Sequence, residues 1–128
     1  MIRAQYYFRD SEQGLLAWDV RRLVELTRDY PVKQVELSDI AELDEAHWYA
    51  HEGDVPTCRS LLAHMQLIDE VDPSVPIILD QHGRVMDGMH RVCRAVLDGQ
   101  DFIPAVQFVE NPEPDYVGCR PDDLPYDD

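Results

Sequence analysis

The chain has 128 residues, of which 45% are hydrophobic and 29% charged, a balance typical of one globular domain rather than of a disordered segment. Its 26 acidic and 11 basic residues give a formal net charge of −15, and because such a field repels nucleic acid backbones we expect no DNA binding. No apolar run approaches the roughly 20 residues of a membrane span, and the first residues and the three cysteines indicate neither a leader nor a disulfide framework, so we expect a cytoplasmic protein without a membrane partner.

The first 31 residues are predicted to form a helical extension. Apolar residues recur at helical spacing after Ser11, and Pro31 ends the pattern. The apolar positions of this pattern are Leu16, Val20, Leu23 and Val24.

Residues 32–109 are predicted to form the core domain. We expect a half-buried strand over 32–37, a short helical turn over 38–43 and a helix that begins after its N-cap, Thr57. Four residues share one face of that helix: Cys58, Leu61, Met65 and Ile68.

The second half of the core is predicted to contain two strands, a helix and a further strand. These elements are expected over 76–79, 84–86, 88–99 and 103–109. Residues 110–128 form an acidic, proline-rich tail that we expect to lack regular structure and to pack on the core or trail from it. The chain is therefore predicted to be a single α+β domain, a small mixed β-sheet with helices packed on it.

The segment Asp87-Gly88-Met89-His90-Arg91 carries the clearest chemical signal. It lies at the predicted strand-to-helix turn, and a helix N-terminus presents unpaired N–H groups and the positive end of its dipole to anions. Gly88 allows close approach of a ligand, while His90 and Arg91 can donate hydrogen bonds to phosphate oxygens. Asp87 is a candidate to bind Mg²⁺ or to accept a proton from a substrate hydroxyl. The turn therefore predicts a site for phosphate or a similar anion.

The charges around this turn have a purely structural interpretation as well. Three arginines and one aspartate between Gln81 and Ala95 give a local charge of +2: Arg84, Arg91, Arg94 and Asp87. In the structural interpretation Arg94 pairs with Asp98 one helical turn later, Arg91 is solvated and Asp87 merely caps the helix.

A run beginning at Pro76 reads Pro-Ile-Ile-Leu-Asp-Gln-His-Gly-Arg-Val-Met-Asp-Gly-Met-His-Arg-Val-Cys-Arg-Ala, and Ile-Pro-Ala-Val follows at Ile103. These residues resemble the ParB/sulfiredoxin-like domain, and the order of the upstream elements extends the resemblance to about 32–109. Sulfiredoxins carry a cysteine before the His-Arg pair, where this chain has Met89. ParB proteins use a Gly-Glu-Arg-Arg type turn and add a helix-turn-helix. The resemblance therefore implies the fold without either of those activities.

The turn is most similar to the Asp-Gly-x-His-Arg turn of the free serine kinases in this superfamily. That resemblance implies ATP or ADP with Mg²⁺ as cofactor and a small hydroxyl-bearing metabolite as substrate, with Asp87 in the catalytic or Mg²⁺-binding role. The implied phosphate contacts are Gly88, Met89, His90 and Arg91. These kinases also have an upstream His-Glu pair, to which His51 and Glu52 correspond. Glu52 is accordingly the candidate base, and a solvated loop carboxylate is the alternative.

Other polar residues have weaker functional interpretations. If the helix after Thr57 points its N-terminus at the same ligand, Thr57 and Arg59 become further phosphate contacts. His47 and His51 could bind a metal ion from one helical face, but a following glycine and proline disfavour a helix there. His64 is expected to lie at the boundary of the core.

Two functions of different classes remain open. The first is a nucleotide-dependent kinase or phosphotransferase that acts on a small metabolite. The second is a non-catalytic binding module that keeps the anion pocket and works through a partner protein, for which the acidic tail could be a docking strip. A ParB-like nuclease is a third possibility, which the net charge of −15 disfavours.

Overall fold

The computed structural model describes residues 5–50 and 53–126. Within these ranges the chain forms one α+β domain with two small sheets. The strands are β1 (Tyr6–Ser11), β2 (Gly14–Asp19), β3 (Lys33–Glu36), β4 (Ile77–Leu79), β5 (Val85–Asp87), β6 (Phe102–Gln107) and β7 (Tyr116–Val117). The helices are α1 (Val20–Thr27), α2 (Cys58–Glu70) and α3 (Met89–Leu97). Short 3₁₀ turns occupy Leu37–Asp39, Ala41–Asp44, His47–Tyr49 and Pro121–Asp123.

The larger sheet is mixed, as the sequence predicts, and has the strand order β3-β6-β4-β5. Strand β6 lies between two partners, antiparallel to β3 and parallel to β4, so that Ala105 stands beside both Lys33 and Ile77. Strand β5 pairs antiparallel with β4 at the edge of the sheet. The α+β class and the mixed sheet are therefore confirmed.

Both faces of the mixed sheet are covered, because successive side chains of a strand point to opposite sides. On one face, Ile77 and Leu79 pack with α3 and the 3₁₀ turns after β3. On the other face, Ile78 packs with residues of β2 and α1, including Trp18 and Leu23. The buried members of the first core are Leu37, Ile40, Ile77, Leu79, Val85, Met89, Val92, Ala95, Ile103 and Ala105.

The prediction of a helix from Ser11 onward is wrong for the residues before Val20. Ser11 ends the first strand of a β-hairpin and Gly14–Asp19 forms the second, so that Tyr6 pairs with Asp19 and Ser11 with Gly14. The run of four apolar residues after Gly14 fits a buried strand as well as a helix. The hairpin turn, in which Gly14 has φ +94°, favours the strand. Only α1 remains of the predicted helical extension.

The prediction that the tail lacks regular structure is also wrong. Strand β7 pairs antiparallel with β2, so the hairpin and the tail form the second sheet in the order β1-β2-β7. The tail prolines provide acceptors even though they lack N–H groups, and Pro112 accepts a 2.8 Å hydrogen bond from the Trp18 indole. The tail and the N-terminal region are therefore packed together on one side of the domain.

The remaining predicted elements between residues 32 and 109 are present with small shifts of their ends. Thr57 caps α2 as predicted, in a capping box with Ser60. Within the described ranges, no helix is both long enough and apolar enough to cross a bilayer.

Candidate functional site

The predicted phosphate turn joins β5 to α3. Gly88 is the N-cap of α3 and has φ +108°, a left-handed conformation that glycine adopts without strain. A Cβ atom at this position would lie 2.6 Å from Cγ2 of Ile77 and 2.7 Å from Nη2 of Arg91. Both the backbone angle and the neighbouring side chains therefore require glycine here.

The N-terminus of α3 is left uncapped by side chains. The first helical hydrogen bond runs from the Val92 N–H to the Gly88 carbonyl, and no side chain of the described residues accepts at the N-cap. The N–H groups of Met89, His90 and Arg91 precede that bond and point out of the helix start. The structural alternative in which Asp87 caps the helix is therefore not the one observed.

Asp87 instead holds Arg91. Oδ2 of Asp87 accepts a 2.7 Å hydrogen bond from Nη2 of Arg91, and both side chains are largely buried. The guanidinium lies against Gly88 and adds positive charge beside the uncapped helix start. Oδ1 of Asp87 accepts no hydrogen bond from the described residues, which leaves one carboxylate oxygen for a ligand.

His90 belongs to a stack of aromatic rings. Nε2 of His90 and Nδ1 of His64, on α2, lie 2.8 Å apart in a hydrogen bond. The Trp48 ring stacks on both imidazoles, with centroid distances of 4.0 Å to His64 and 4.6 Å to His90. This stack joins the loop before α2, α2 itself and α3.

The imidazoles of the stack are held neutral. Burial first, and then repulsion from His64 and His47, lowers the pKa of His90 to about 4. Burial likewise lowers the pKa values of His47 and His64. At neutral pH, His90 therefore offers a phosphate a neutral hydrogen-bonding group rather than a cation.

A cleft of about 290 Å³ opens between the turn and the N-terminal hairpin. Residues 87–90 form one wall, residues 5–8 of β1 and its approach form the other, and His47 and Trp48 line it as well. The aromatic residues among those that line this cleft are Tyr6, Tyr7, Phe8, His47, Trp48 and His90. A second cavity of about 320 Å³ adjoins it and shares Tyr7, Phe8, His47 and Val85 as lining residues.

The second cavity contains two arginines that are already paired. Nη2 of Arg9 donates a 2.6 Å hydrogen bond to buried Asp80, and Arg84 donates two hydrogen bonds to Glu45. Glu42 is also buried there and accepts from the Val85 N–H at 2.6 Å, while its Oε1 has no partner among the described residues. The two cavities therefore hold more carboxylates than cations.

The basic residues that the sequence groups together are separated in the structure. Arg84 faces Glu45, Arg91 faces Asp87, and Arg94 pairs with Asp98 as the structural interpretation predicts. Arg94 also donates to the Asp69 carbonyl at the end of α2, away from the cleft. Each arginine thus has its own carboxylate partner, and the local charge of +2 is not a free cationic cluster.

Two of the predicted phosphate contacts lie apart from the cleft. Thr57 and Arg59 are exposed at the start of α2 and are not among the described residues that line either cavity. Met89 lines the cleft, but it is a buried member of the hydrophobic core. Glu52 and His51 fall outside the described residues.

The opposite wall of the cleft is the part that sequence reasoning missed. Tyr6, Tyr7 and Phe8 form an aromatic run that suits a strand, and Trp48 lies between His47 and Tyr49 in a second such run. Either run could have identified a ring-binding surface, but only the folded chain brings them to one cleft.

Comparison with protein-family models, with curated proteins and with solved structures finds no match to this chain.

This site is compatible with a magnesium ion that is also bound by the phosphates of a ligand. No group of three His, Cys, Asp or Glu residues among the described residues is arranged to hold a metal ion alone. Mg²⁺ is commonly bound by one or two carboxylates together with phosphate oxygens, and Oδ1 of Asp87 could supply one such ligand. The residues present therefore fit Mg²⁺ that arrives with a phosphorylated ligand.

Proposed function

We propose that the cleft binds a nucleotide, with the phosphates at the start of α3 and the base between the aromatic walls. One observation carries this proposal: the uncapped N-terminus of α3 opens into a cleft that is lined by aromatic residues. Helix N-termini bind phosphate through N–H groups and the helix dipole, and planar bases stack on aromatic side chains. The resemblance to the ParB/sulfiredoxin-like superfamily is consistent with this proposal and remains a sequence-based prediction.

Charge gives the proposal a further condition. Asp10, Glu42, Glu45 and Asp87 line the two cavities, and the arginines beside them are already paired. A bare polyphosphate would be repelled by these carboxylates, whereas its Mg²⁺ complex carries less negative charge and gains Asp87 as a ligand. Binding should therefore depend on Mg²⁺.

Within this proposal, the protein is a small-molecule kinase that uses ATP or ADP. A phosphoryl group would leave the nucleotide as its bond to the bridging oxygen breaks, and a substrate hydroxyl would form the new bond to phosphorus. Glu52 would take the hydroxyl proton, and Mg²⁺ bound with the nucleotide would offset the charge that develops on the phosphate oxygens. Arg91 would hold Asp87 in place and add positive charge near the transferred group.

A non-catalytic binding module is the second candidate, and one observation favours it. In the described part of the site, Asp87 is already bonded to Arg91, and His90 is neutral and bonded to His64. Neither of these groups is poised as a base. A module that only binds a nucleotide would need nothing more than the uncapped helix and the aromatic walls.

Calorimetric titration with ATP, ADP and CTP, each with and without Mg²⁺, tests the binding proposal. We expect at least one nucleotide to bind with Mg²⁺, binding to be lost with EDTA, and Arg91→Ala to weaken it about tenfold or more by removing a nearby charge and freeing Asp87. Arg28→Ala is the matched control, because Arg28 also forms an ion pair within one helical turn but is exposed after α1 and is not among the described residues that line either cavity. Failure of all three nucleotides to bind would refute the proposal.

Turnover separates the two candidates. For a kinase, Glu52→Gln should abolish phosphoryl transfer while the calorimetric affinity for nucleotide stays the same. For a binding module, neither variant nor wild type consumes nucleotide in the presence of a panel of small hydroxyl compounds. Consumption at equal rates by wild type and Glu52→Gln would exclude Glu52 as the base.

A further inference from the structure

Helix α2 exposes an unusual amount of apolar surface. Within the described part of the chain, none of its 13 residues is buried, and only Ser60, His64 and Ile68 are half-buried along one narrow stripe. Leu62 is 63% exposed and Met65 61% exposed. Large exposed apolar patches of this kind commonly mark interaction surfaces.

The exposed face continues across a groove onto α3. A cavity of about 490 Å³ lies between the two helices and is lined by Met65, Ile68, Asp69, Arg94, Leu97 and Asp98. Leu97 is 75% exposed at the far side of this groove. The groove shares no lining residue with the described nucleotide cleft, so the inference drawn from it does not depend on the proposed function.

The two helices run parallel, so the negative ends of their dipoles lie at the same end of the groove. His64 of α2 bonds to His90 of α3, and one turn later Arg94 of α3 donates to the carbonyls of Ile68 and Asp69. The C-terminal ends of α2 and α3 therefore lie at the same end of the groove, where their carbonyl dipoles are negative. Both helices thus present their negative ends to any segment in the groove.

Side-chain charges make this end of the groove more negative. Asp69, Glu70 and Asp98 lie at the C-terminal end, where the guanidinium of Arg94 is already bonded to Asp98 and to the α2 carbonyls. The basic residue of α2, Arg59, lies at the opposite end of that helix. An occupant that is apolar along its length and basic at one end would match both the surface and its charge.

We propose that this groove binds an amphipathic helical segment of a partner protein, with Lys or Arg residues over the C-terminal ends of α2 and α3. Helices dock into grooves through an apolar face, and cations are stabilised at helix C-termini. A second copy of this chain is a poorer match, because it brings another net charge of −15 and the same acidic groove end.

A pair of designed peptides tests the proposal on the full chain. Both are amidated amphipathic helices of about 14 residues, close to the length of α2, with one leucine face in common. One carries lysines on its polar face and the other carries glutamates. Fluorescence anisotropy should show binding of the lysine peptide only, and amide chemical shifts should change in α2 and α3.

Variants separate docking from general attraction to an acidic protein. Met65→Ser with Leu97→Ser should weaken binding of the lysine peptide about tenfold or more, because two apolar contacts are lost. Val32→Ser with Val109→Ser is the matched control, since these exposed valines lie outside the groove, and it should leave the affinity unchanged. Asp69→Asn with Asp98→Asn should weaken binding, and Asp122→Asn with Asp123→Asn should change it less.

Three results would overturn the proposal. Equal binding of the lysine peptide to wild type and to the Met65/Leu97 variant would mean attraction without docking. Equal affinity for the glutamate peptide would show that the groove does not select a basic partner. A dimer in sedimentation equilibrium that dissociates in the Met65/Leu97 variant would show that a second copy occupies the groove instead.

Discussion

Helices α2 and α3 lie side by side, yet different forces hold them in place. Helix α3 buries Met89, Val92 and Ala95 in the core of the mixed sheet. Helix α2 is longer but, within the described chain, buries none of its residues. The sequence alone does not reveal this difference, because both helices contain apolar residues at helical spacing.

The contacts that hold α2 are mainly polar and aromatic. His64 bonds to His90 and stacks on Trp48, and the hydroxyls of Tyr49 and Ser60 lie 2.8 Å apart. Arg94 of α3 supplies hydrogen bonds to the last carbonyls of α2. Burial therefore fixes α3, and directional bonds fix α2, so that the two helices should respond to different perturbations.

The largest expected effect is at the start of α3. Gly88→Ala should lower the free energy of unfolding by about 3 kcal/mol, from a strained left-handed backbone together with overlap with Ile77. Gly99→Ala at the other end of α3 is the matched control, because its φ is also positive but nothing lies within 4 Å, and it should cost about 1 kcal/mol. Urea denaturation measures both, and equal losses would mean that the overlap at Gly88 is relieved.

The next largest effect is the difference in stability loss between truncating a buried residue of α3 and an exposed residue of α2. Val92→Ala should cost about 2 kcal/mol because Val92 is fully buried in the core. Leu62→Ala removes more atoms but from an exposed position, and should change stability by less than about 0.5 kcal/mol. A loss at Leu62 as large as that at Val92 would show that α2 is packed against the rest of the chain.

A smaller effect is expected at the capping box of α2. Thr57→Ala removes the side-chain acceptor of the Ser60 N–H and should cost about 1 kcal/mol. Because little burial holds α2, the loss should appear as faster amide exchange in the first turns of α2 and leave α3 unchanged. Protection that falls equally in both helices would mean that they unfold together.

A further effect differs in kind, because it should appear only in mildly acidic solution. The pKa of His90 is about 4 in the folded protein, mainly because of burial, against 6.5 ordinarily. The unfolded chain therefore binds more protons between these values, and stability should decrease as the pH falls from about 6.5 towards 4. The lowered pKa of His64 acts in the same direction, whereas Asp87 near His90 opposes it.

Urea denaturation at several pH values measures this effect. The carboxylates also titrate near the lower end of this range, so the relevant quantity is the difference between wild type and His90→Gln. That difference should shrink as the pH falls, because glutamine cannot take up a proton. Amide exchange in α2 should accelerate before exchange in α3, since the His64–His90 bond joins α2 to the core.

Local signals explain which parts of the fold could be predicted. The segment from β4 to β6 is encoded by short apolar runs and by glycines at its turns, and each ion pair within α3 or at its start joins residues four apart. The hairpin before α1 was missed because its apolar run has no clear period. Strand β7 was missed because its partner, β2, lies about a hundred residues earlier in the chain.

Only one wall of the candidate site was predictable, because the other wall comes from distant parts of the chain. The Asp87–Arg91 turn is a local sequence feature, whereas the aromatic wall opposite comes from β1 and the His47–Tyr49 turn. The partners of Arg9 and Arg84 are acids 71 and 39 residues away, respectively, so their neutralisation depends on the fold. Sequence spacing cannot show such pairings.

The placement of β6 and β7 also determines when the domain can fold during synthesis. Strand β6 is the strand that joins β3 to β4, and β7 completes the smaller sheet beside β2. A nascent chain that ends before β6 leaves its earlier strands with unpaired edges, so the native fold cannot form until β6 and β7 have been synthesised. Pairings between distant segments form slowly, and a ribosome-bound chain would expose those edges to chaperones until these two strands emerge.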